Sequence, residues 1–210
     1  MEHVEVSPDG REVVELLAAL QHRHPIVLGI CGAPGSGKTT LAGALGEPVV
    51  PMDGFHLADV ELERRGLRDR KGAPETFDAW GYAALLARLR EREDRIVMAP
   101  GFERGLEQPI AGAIAIPRSE LVVTEGNYLL LDRPEWRAVR QQLDQVWHVV
   151  TDEPLRLSRL VARHVEFGKS PEAAAAWVDR VDQPNAVRIE AAGSAADVVL
   201  DLTHWSGELH

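Results

Sequence analysis

Eight residues, Gly32-Ala-Pro-Gly-Ser-Gly-Lys-Thr39, leave this chain few ways to fold. They match G-x-x-x-x-G-K-[ST] and sit in the context that pattern needs. Ile26 to Cys31 before them is a short apolar run that reads as a buried strand, and Thr39 to Leu45 after them reads as a helix. Glycines let the backbone curl until several N–H groups point inward at phosphate oxygens. The N-terminus of the following helix adds partial positive charge. Lys38 is placed to reach the outer phosphates of a nucleotide, and the Thr39 hydroxyl to ligate Mg²⁺. Gly32, Ala33, Pro34, Gly35, Ser36, Gly37, Lys38, Thr39 and Thr40 are therefore expected to bind a nucleotide. The competing reading, a Gly-rich turn that happens to hold a lysine, does not account for the strand and helix on either side.

The rest of the chain fits that frame. Val13, Leu16, Leu17 and Leu20 are spaced for an amphipathic helix over 11–24, ended by Pro25. Further strands are expected at Val49 to Met52, Ile96 to Ala99, Leu121 to Thr124, Val146 to Val150 and Val198 to Leu202. Residues 58–73 look charged and irregular. Asp78 can N-cap a helix carrying Tyr82, Leu85, Leu86 and Leu89. Prolines and glycines mark 100–119 as a long loop, with a possible strand at Ile114 to Ile116. Two helices follow, over about 154–167 and 171–191. Alternating strands and helices predict an α/β, three-layer fold: a mostly parallel, five-stranded sheet covered on both faces. Ligands in such sheets sit beyond the carboxyl ends of the strands. A length of 210 residues suits one domain, residues 1–210, with a helical lid near 154–170.

A phosphate-binding loop names a ligand, not a reaction. No Asn-Lys-x-Asp motif for reading guanine occurs. Asp53 follows the second strand in Pro51-Met-Asp-Gly-Phe-His56, where a carboxylate can accept the proton of an attacking hydroxyl. A turn aspartate before Gly54 is the alternative. Glu125 follows Leu-Val-Val-Thr, where an acid can help hold Mg²⁺, often through water. Arg156, Arg159 and Arg163 share one helix face by their spacing. Such a face can close over phosphates, or can be a solvated face paired with Glu153 and Glu166.

These stretches together, GAPGSGKTT, MDGFH, KGAPETFD, PGFERGLEQP, VVTEGNYLLLD, RLSRLVARHVEFG and DQPNAVRI, resemble the phosphoribulokinase, uridine kinase and pantothenate kinase superfamily of P-loop kinases. The likeness spans roughly 25–205 and is strongest to bacterial uridine-kinase-like proteins, some linked to fructose metabolism. It implies ATP-dependent phosphorylation of a hydroxyl on a small metabolite, with ATP and Mg²⁺. Asp53 would be the catalytic base, acting with Lys38. Thr39 and Glu125 would serve the metal, and Arg159 and Arg163 would be lid arginines on the phosphates. Phe55, His56, Phe102, Arg104, Asn127 and Tyr128 would lie near the acceptor, and Asn185 belongs to the motif after the lid. A homodimer is a family-level expectation. Three stretches depart from relatives. His56 stands where uridine kinases have Tyr. Lys71-Gly-Ala-Pro74 replaces a Phe-Asp-His-Pro stretch. Phe102-Glu-Arg104 replaces the Tyr-x-His of pantothenate kinases. A nucleoside, a sugar and a pantothenate-like acceptor all stay open.

The formal net charge of −10 argues against a nucleic-acid partner. One cysteine, Cys31, fits a reducing cytoplasm, and no apolar stretch is long enough to span a membrane. Histidines at metal-ligand spacing are lacking, and the five tryptophans default to packing. The rival function is a nucleotide-dependent regulatory or assembly ATPase with no small acceptor.

Overall fold

The computed structural model describes residues 2–20, 26–46, 48–91 and 93–209. Its main sheet is six-stranded and parallel, built from β1 (Glu2–Glu5), β2 (Ile26–Gly32), β3 (Val49–Pro51), β6 (Leu121–Gly126), β7 (Gln145–Val150) and β8 (Val198–Asp201). The order is β1-β8-β7-β2-β6-β3. Five of these strands are the ones expected from apolar runs. The sixth, β1, corrects the five-stranded expectation. Its sequence EHVE carries three polar residues, which an edge strand paired only to β8 tolerates.

β2 lies at the centre and is buried at every residue, as a strand covered on both faces must be. Its side chains alternate between two cores. Val27 and Cys31 join a cluster with α4 (Ala79–Glu91), α5 (Pro134–Arg140) and α8 (Gln183–Ala192). Ile26, Leu28 and Ile30 join a second with α1 (Arg11–Leu20) and α2 (Lys38–Leu45). These are the three expected layers. The expected tail of α1, including Pro25, lies outside the described residues. Asp78 Oδ1 accepts from the Gly81 amide at 2.9 Å, the N-terminal cap foreseen for α4.

Two stretches depart from expectation. Ile96 to Ala99 does not join the main sheet. It begins β4 (Ile96–Glu103), which pairs antiparallel with β5 (Gln108–Pro117), where a long loop was expected. Pro100 and Gly101 suggested a break, but a register shift between Ala99 and Gly101 accommodates them inside the strand. The stretch 58–73 contains α3 (Asp59–Arg65), whose charges are ordered as ion pairs of Glu61 with Arg64 and Arg65. The two expected late helices are α6 (Glu153–Glu166) and a segment running from α7 (Pro171–Trp177) through a π-helical turn, Val178–Asp182, into α8. Among the described residues, no helix is long and apolar enough to cross a membrane.

Candidate active site

The sheet brings three strand ends together. β2 runs into the glycine-rich loop, and its Ile30 is in register with Glu125 of β6. Glu125 is in turn in register with Pro51 of β3. Asp53 follows two residues later in the turn Met52–Phe55. Gly54 lets that turn press against the β4–β5 hairpin, because a Cβ there would lie 2.3 Å from the Pro100 carbonyl oxygen. Loop, acid and candidate base thus converge at one edge of the fold, beyond the carboxyl ends of the strands.

The loop is held from behind. Arg156 of α6 is 6% exposed and donates to the Pro34 carbonyl at 3.3 Å and to the Gln183 side chain. Thr151 donates to the Ser36 carbonyl at 3.2 Å. Of the three arginines on that helix, Arg156 is therefore a bracket for the loop. Arg159 and Arg163 instead line open space.

That space is two adjoining cavities. One, of about 480 Å³, is walled by Gly35, Gly37, Lys38, Thr39, Thr40, Arg159, Arg163 and Glu166, with Phe167, Leu202, Trp205, Ser206 and Gly207 beyond. The other, of about 130 Å³, is walled by Asp53, His56, Lys71, Gly72, Phe77, Arg104, Glu125, Asn127, Asp182 and Asn185, among others. Lys38, Thr39, Arg104 and Arg163 belong to both walls. A nucleotide lying on the loop in the larger cavity would present its last phosphate to the smaller one.

Several wall residues carry no signal in the sequence. Leu202, Trp205, Ser206 and Gly207 come from a C-terminal segment with no local motif. Trp177 and Trp205 are not simple packing residues, since each lines a cavity. Phe55, Phe102 and Tyr128, expected beside the acceptor, do not line the small cavity. Phe55 is buried against Tyr82, with ring centroids 4.6 Å apart. Phe102 stands behind His56 at 4.9 Å and beneath the Lys71 ammonium. Tyr128 is 1% exposed, packs on Phe77 and Trp136, and donates its hydroxyl to the Gly72 carbonyl at 2.6 Å. It shapes the wall from inside the core. Gly32 and Ala33 also lie below the loop's exposed surface.

The electrostatics follow from burial. Glu125 is 6% exposed, and burial pushes its carboxyl above the ordinary value, helped by Asp53 and opposed by Lys38, Arg104 and a hydrogen bond from Thr39. Arg104 Nη2 lies 3.7 Å from Asp53 Oδ2 while its guanidinium rests over the Phe167 ring at 5.5 Å, linking hairpin to α6. His56 Nδ1 is 2.8 Å from the Asp53 carbonyl oxygen, so that nitrogen carries the proton and donates. Burial lowers the His56 pKa against the pull of Asp53, so the ring is neutral at pH 7 and Nε2 is left as an acceptor.

The oxygen donors fit Mg²⁺. The Thr39 hydroxyl, on the wall common to both cavities, and the Glu125 carboxylate, on the wall of the smaller one, are hard ligands. Among the described residues no cluster of three or more His, Cys, Asp or Glu could hold a metal by itself. Such an ion would complete its shell with phosphate oxygens and water, as Mg²⁺ commonly does beside a nucleotide.

Fold and site together define a P-loop phosphotransferase architecture. No protein-family model matches the chain. Individual relatives do. It is 31% identical over 199 residues to a protein of Schizosaccharomyces pombe named "Putative uridine kinase C227.14", covering 86% of this chain and 85% of that one. It is 31% identical over 220 residues to the uncharacterized protein YggC of Escherichia coli, covering 98% of this chain and 91% of that one. Among solved structures, a "putative fructose transport system kinase" from Silicibacter sp. TM1040 superposes with a TM-score of 0.81 at 37% identity, over 90% of this chain and 97% of that one. The chain belongs to the P-loop kinases of the uridine kinase type.

Proposed function

We propose that the chain transfers the γ-phosphoryl group of MgATP to a hydroxyl of a small metabolite. The observation that carries this reading is the shared wall. Lys38, Thr39, Arg104 and Arg163 border both the loop-side cavity and the cavity that holds Asp53. A regulatory ATPase would have no use for a second space facing the last phosphate.

Asp53 accepts the proton of the acceptor hydroxyl as its oxygen attacks phosphorus. The bond from γ-phosphorus to the β–γ bridging oxygen breaks, and ADP leaves. Lys38 holds the outer phosphates, while Arg163 and Arg159 stabilise charge developing on the transferred group. Thr39 and Glu125 would hold Mg²⁺, which would supply charge neutralisation at the phosphates. α6 acts as a lid, since its arginines and Phe167 border the nucleotide cavity while Arg104 reaches it from the hairpin. Closure there excludes water from the transferred group. The Asp53 backbone holds the His56 ring, whose Nε2 accepts a hydrogen bond from the acceptor.

The test is the rate of ADP formation with and without a panel of nucleosides, sugars, sugar acids, sugar phosphates and vitamins. A strong acceptor-dependent rate is expected. A rate that no metabolite moves, but that a protein partner raises, would replace this reading with the regulatory ATPase.

A further inference from the structure

The small cavity holds about 130 Å³, well below the roughly 300–1,000 Å³ usual for a small-molecule site. It therefore accommodates the reacting end of an acceptor rather than the whole molecule. On one side it adjoins the loop-side cavity. On another it borders a third cavity of about 450 Å³, walled by Asp69, Arg70, Trp177, Arg180, Asn185 and Arg188, among others. Trp177, Val181 and Asn185 belong to both walls.

The chemistry of that outer cavity is cationic in a chain of formal net charge −10. Arg70 is committed to a short ion pair with Glu75. Arg180 lies over the Trp177 ring at 5.5 Å, which fixes its guanidinium at the mouth of the acceptor cavity. Neither Arg180 nor Arg188 has an ion pair among the described residues. Asp69 is the sole carboxylate among the described residues of this wall.

Two amides on these walls have unused hydrogen-bonding capacity. Asn185 is 9% exposed, stands on both walls, and makes no side-chain hydrogen bond among the described residues. The Asn127 side-chain oxygen is buried without a hydrogen-bond partner on the acceptor wall. A buried amide left unpaired costs free energy, and a ligand bearing hydroxyl groups restores what is missing. A planar guanidinium pair beyond it suits a carboxylate or a phosphate, which present oxygens in matching geometry.

We infer that the acceptor is a small hydroxylated anion. Its reacting hydroxyl lies at Asp53, its middle is hydrogen bonded by Asn127 and Asn185, and its charged end is held by Arg180 and Arg188. This rests on the kinase reading above and narrows its substrate class.

The experiment measures initial rates of ADP formation with matched acceptors, such as ribose, ribonate and ribose 5-phosphate, pantothenol and pantothenate, and uridine, within the wider panel. The enzymes are wild type, Arg180→Gln, Arg188→Gln, their double variant, and Arg137→Gln. Arg137 is an exposed arginine paired with Asp132 outside all three cavities. An anionic acceptor should exceed its neutral counterpart by about tenfold or more in kcat/KM, as expected for a charge-assisted contact. The carboxylate and phosphate arms identify which anion is read. Each arginine variant should raise the KM for that acceptor about tenfold, leaving kcat and the KM for ATP near wild type. Arg137→Gln should change nothing. If a neutral acceptor is used best and the double variant leaves its KM unmoved, the anion inference is overturned while the kinase reading stands. If no acceptor in the panel raises ADP formation, both fall.

Discussion

Replacing Arg156 and Arg163 separately by Met should give opposite phenotypes, although the two residues lie on the same helix. Arg156 makes two charge-assisted hydrogen bonds, to the Pro34 carbonyl and to Gln183. Hydrogen bonds to a charged group typically contribute roughly 1.5–3 kcal/mol each. Removing a buried guanidinium also returns its desolvation penalty, which offsets much of that gain. Its ion-pair partner Glu153, at 3.6 Å, has a side chain 65% exposed and simply returns to water, so no buried charge is stranded. The net loss should be about 1–2 kcal/mol, or a melting midpoint lower by about 2–8 °C for a chain of this size. The KM for ATP should rise as the loop loses its bracket at Pro34. Arg163 lines both cavities and has no ion pair among the described residues. Arg163→Met should shift stability by less than about 0.5 kcal/mol and lower kcat about 10²- to 10³-fold. Differential scanning calorimetry and steady-state kinetics on the same preparations decide it. An Arg156→Met protein that melts normally but loses kcat as Arg163→Met does would refute this division of labour.

Gly54→Ala should drive the β4–β5 hairpin away from Asp53, because the added Cβ would meet the Pro100 carbonyl at 2.3 Å. Overpacking of this kind costs about 1–3 kcal/mol, and kcat should fall with it; unchanged melting and turnover would contradict the close approach. Thr39→Val removes the hydroxyl bonded to Glu125. ATP binding should lose about tenfold with Mg²⁺ present and little without it, measured by calorimetric titration. His56 supplies a pH test. Its folded pKa lies below 6.5 because of burial, so folding must expel a proton once the unfolded ring is charged. Stability should therefore decline as pH falls through the unfolded value toward the folded one, and His56→Gln should lose that part of the decline. Denaturant midpoints at pH 5 and 7 check it; identical pH dependence in both proteins would count against a buried neutral ring.

Much of the site was legible because it is local in sequence. The loop from Gly32 to Thr39, Asp53 after β3 and Glu125 after β6 each follow an apolar strand, and parallel pairing of those strands brings them together. What was not legible depends on tertiary packing. Helical spacing puts Arg156, Arg159 and Arg163 on one face, but only the docking of α6 on the loop decides that Arg156 is covered. Tyr128 follows the Glu125 strand as a cavity residue would, yet Phe77 and Trp136 draw it into the core. Trp205 belongs to no motif and reaches the nucleotide cavity because the chain returns there after β8. The hairpin was hidden by Pro100 and Gly101, whose usual meaning is a break. β1 was hidden by its charged residues, which an edge position permits.

In the proposed mechanism Asp53 takes the acceptor's proton and does not bind the nucleotide. Asp53→Asn keeps the shape of the side chain and removes its capacity as a base. ATP affinity by titration and phosphoryl transfer to the acceptor should be measured on the same variant. The dissociation constant for MgATP should stay within about threefold of wild type, and the transfer rate should fall by at least about 10²-fold. Full transfer by Asp53→Asn, with ATP still bound, would contradict it.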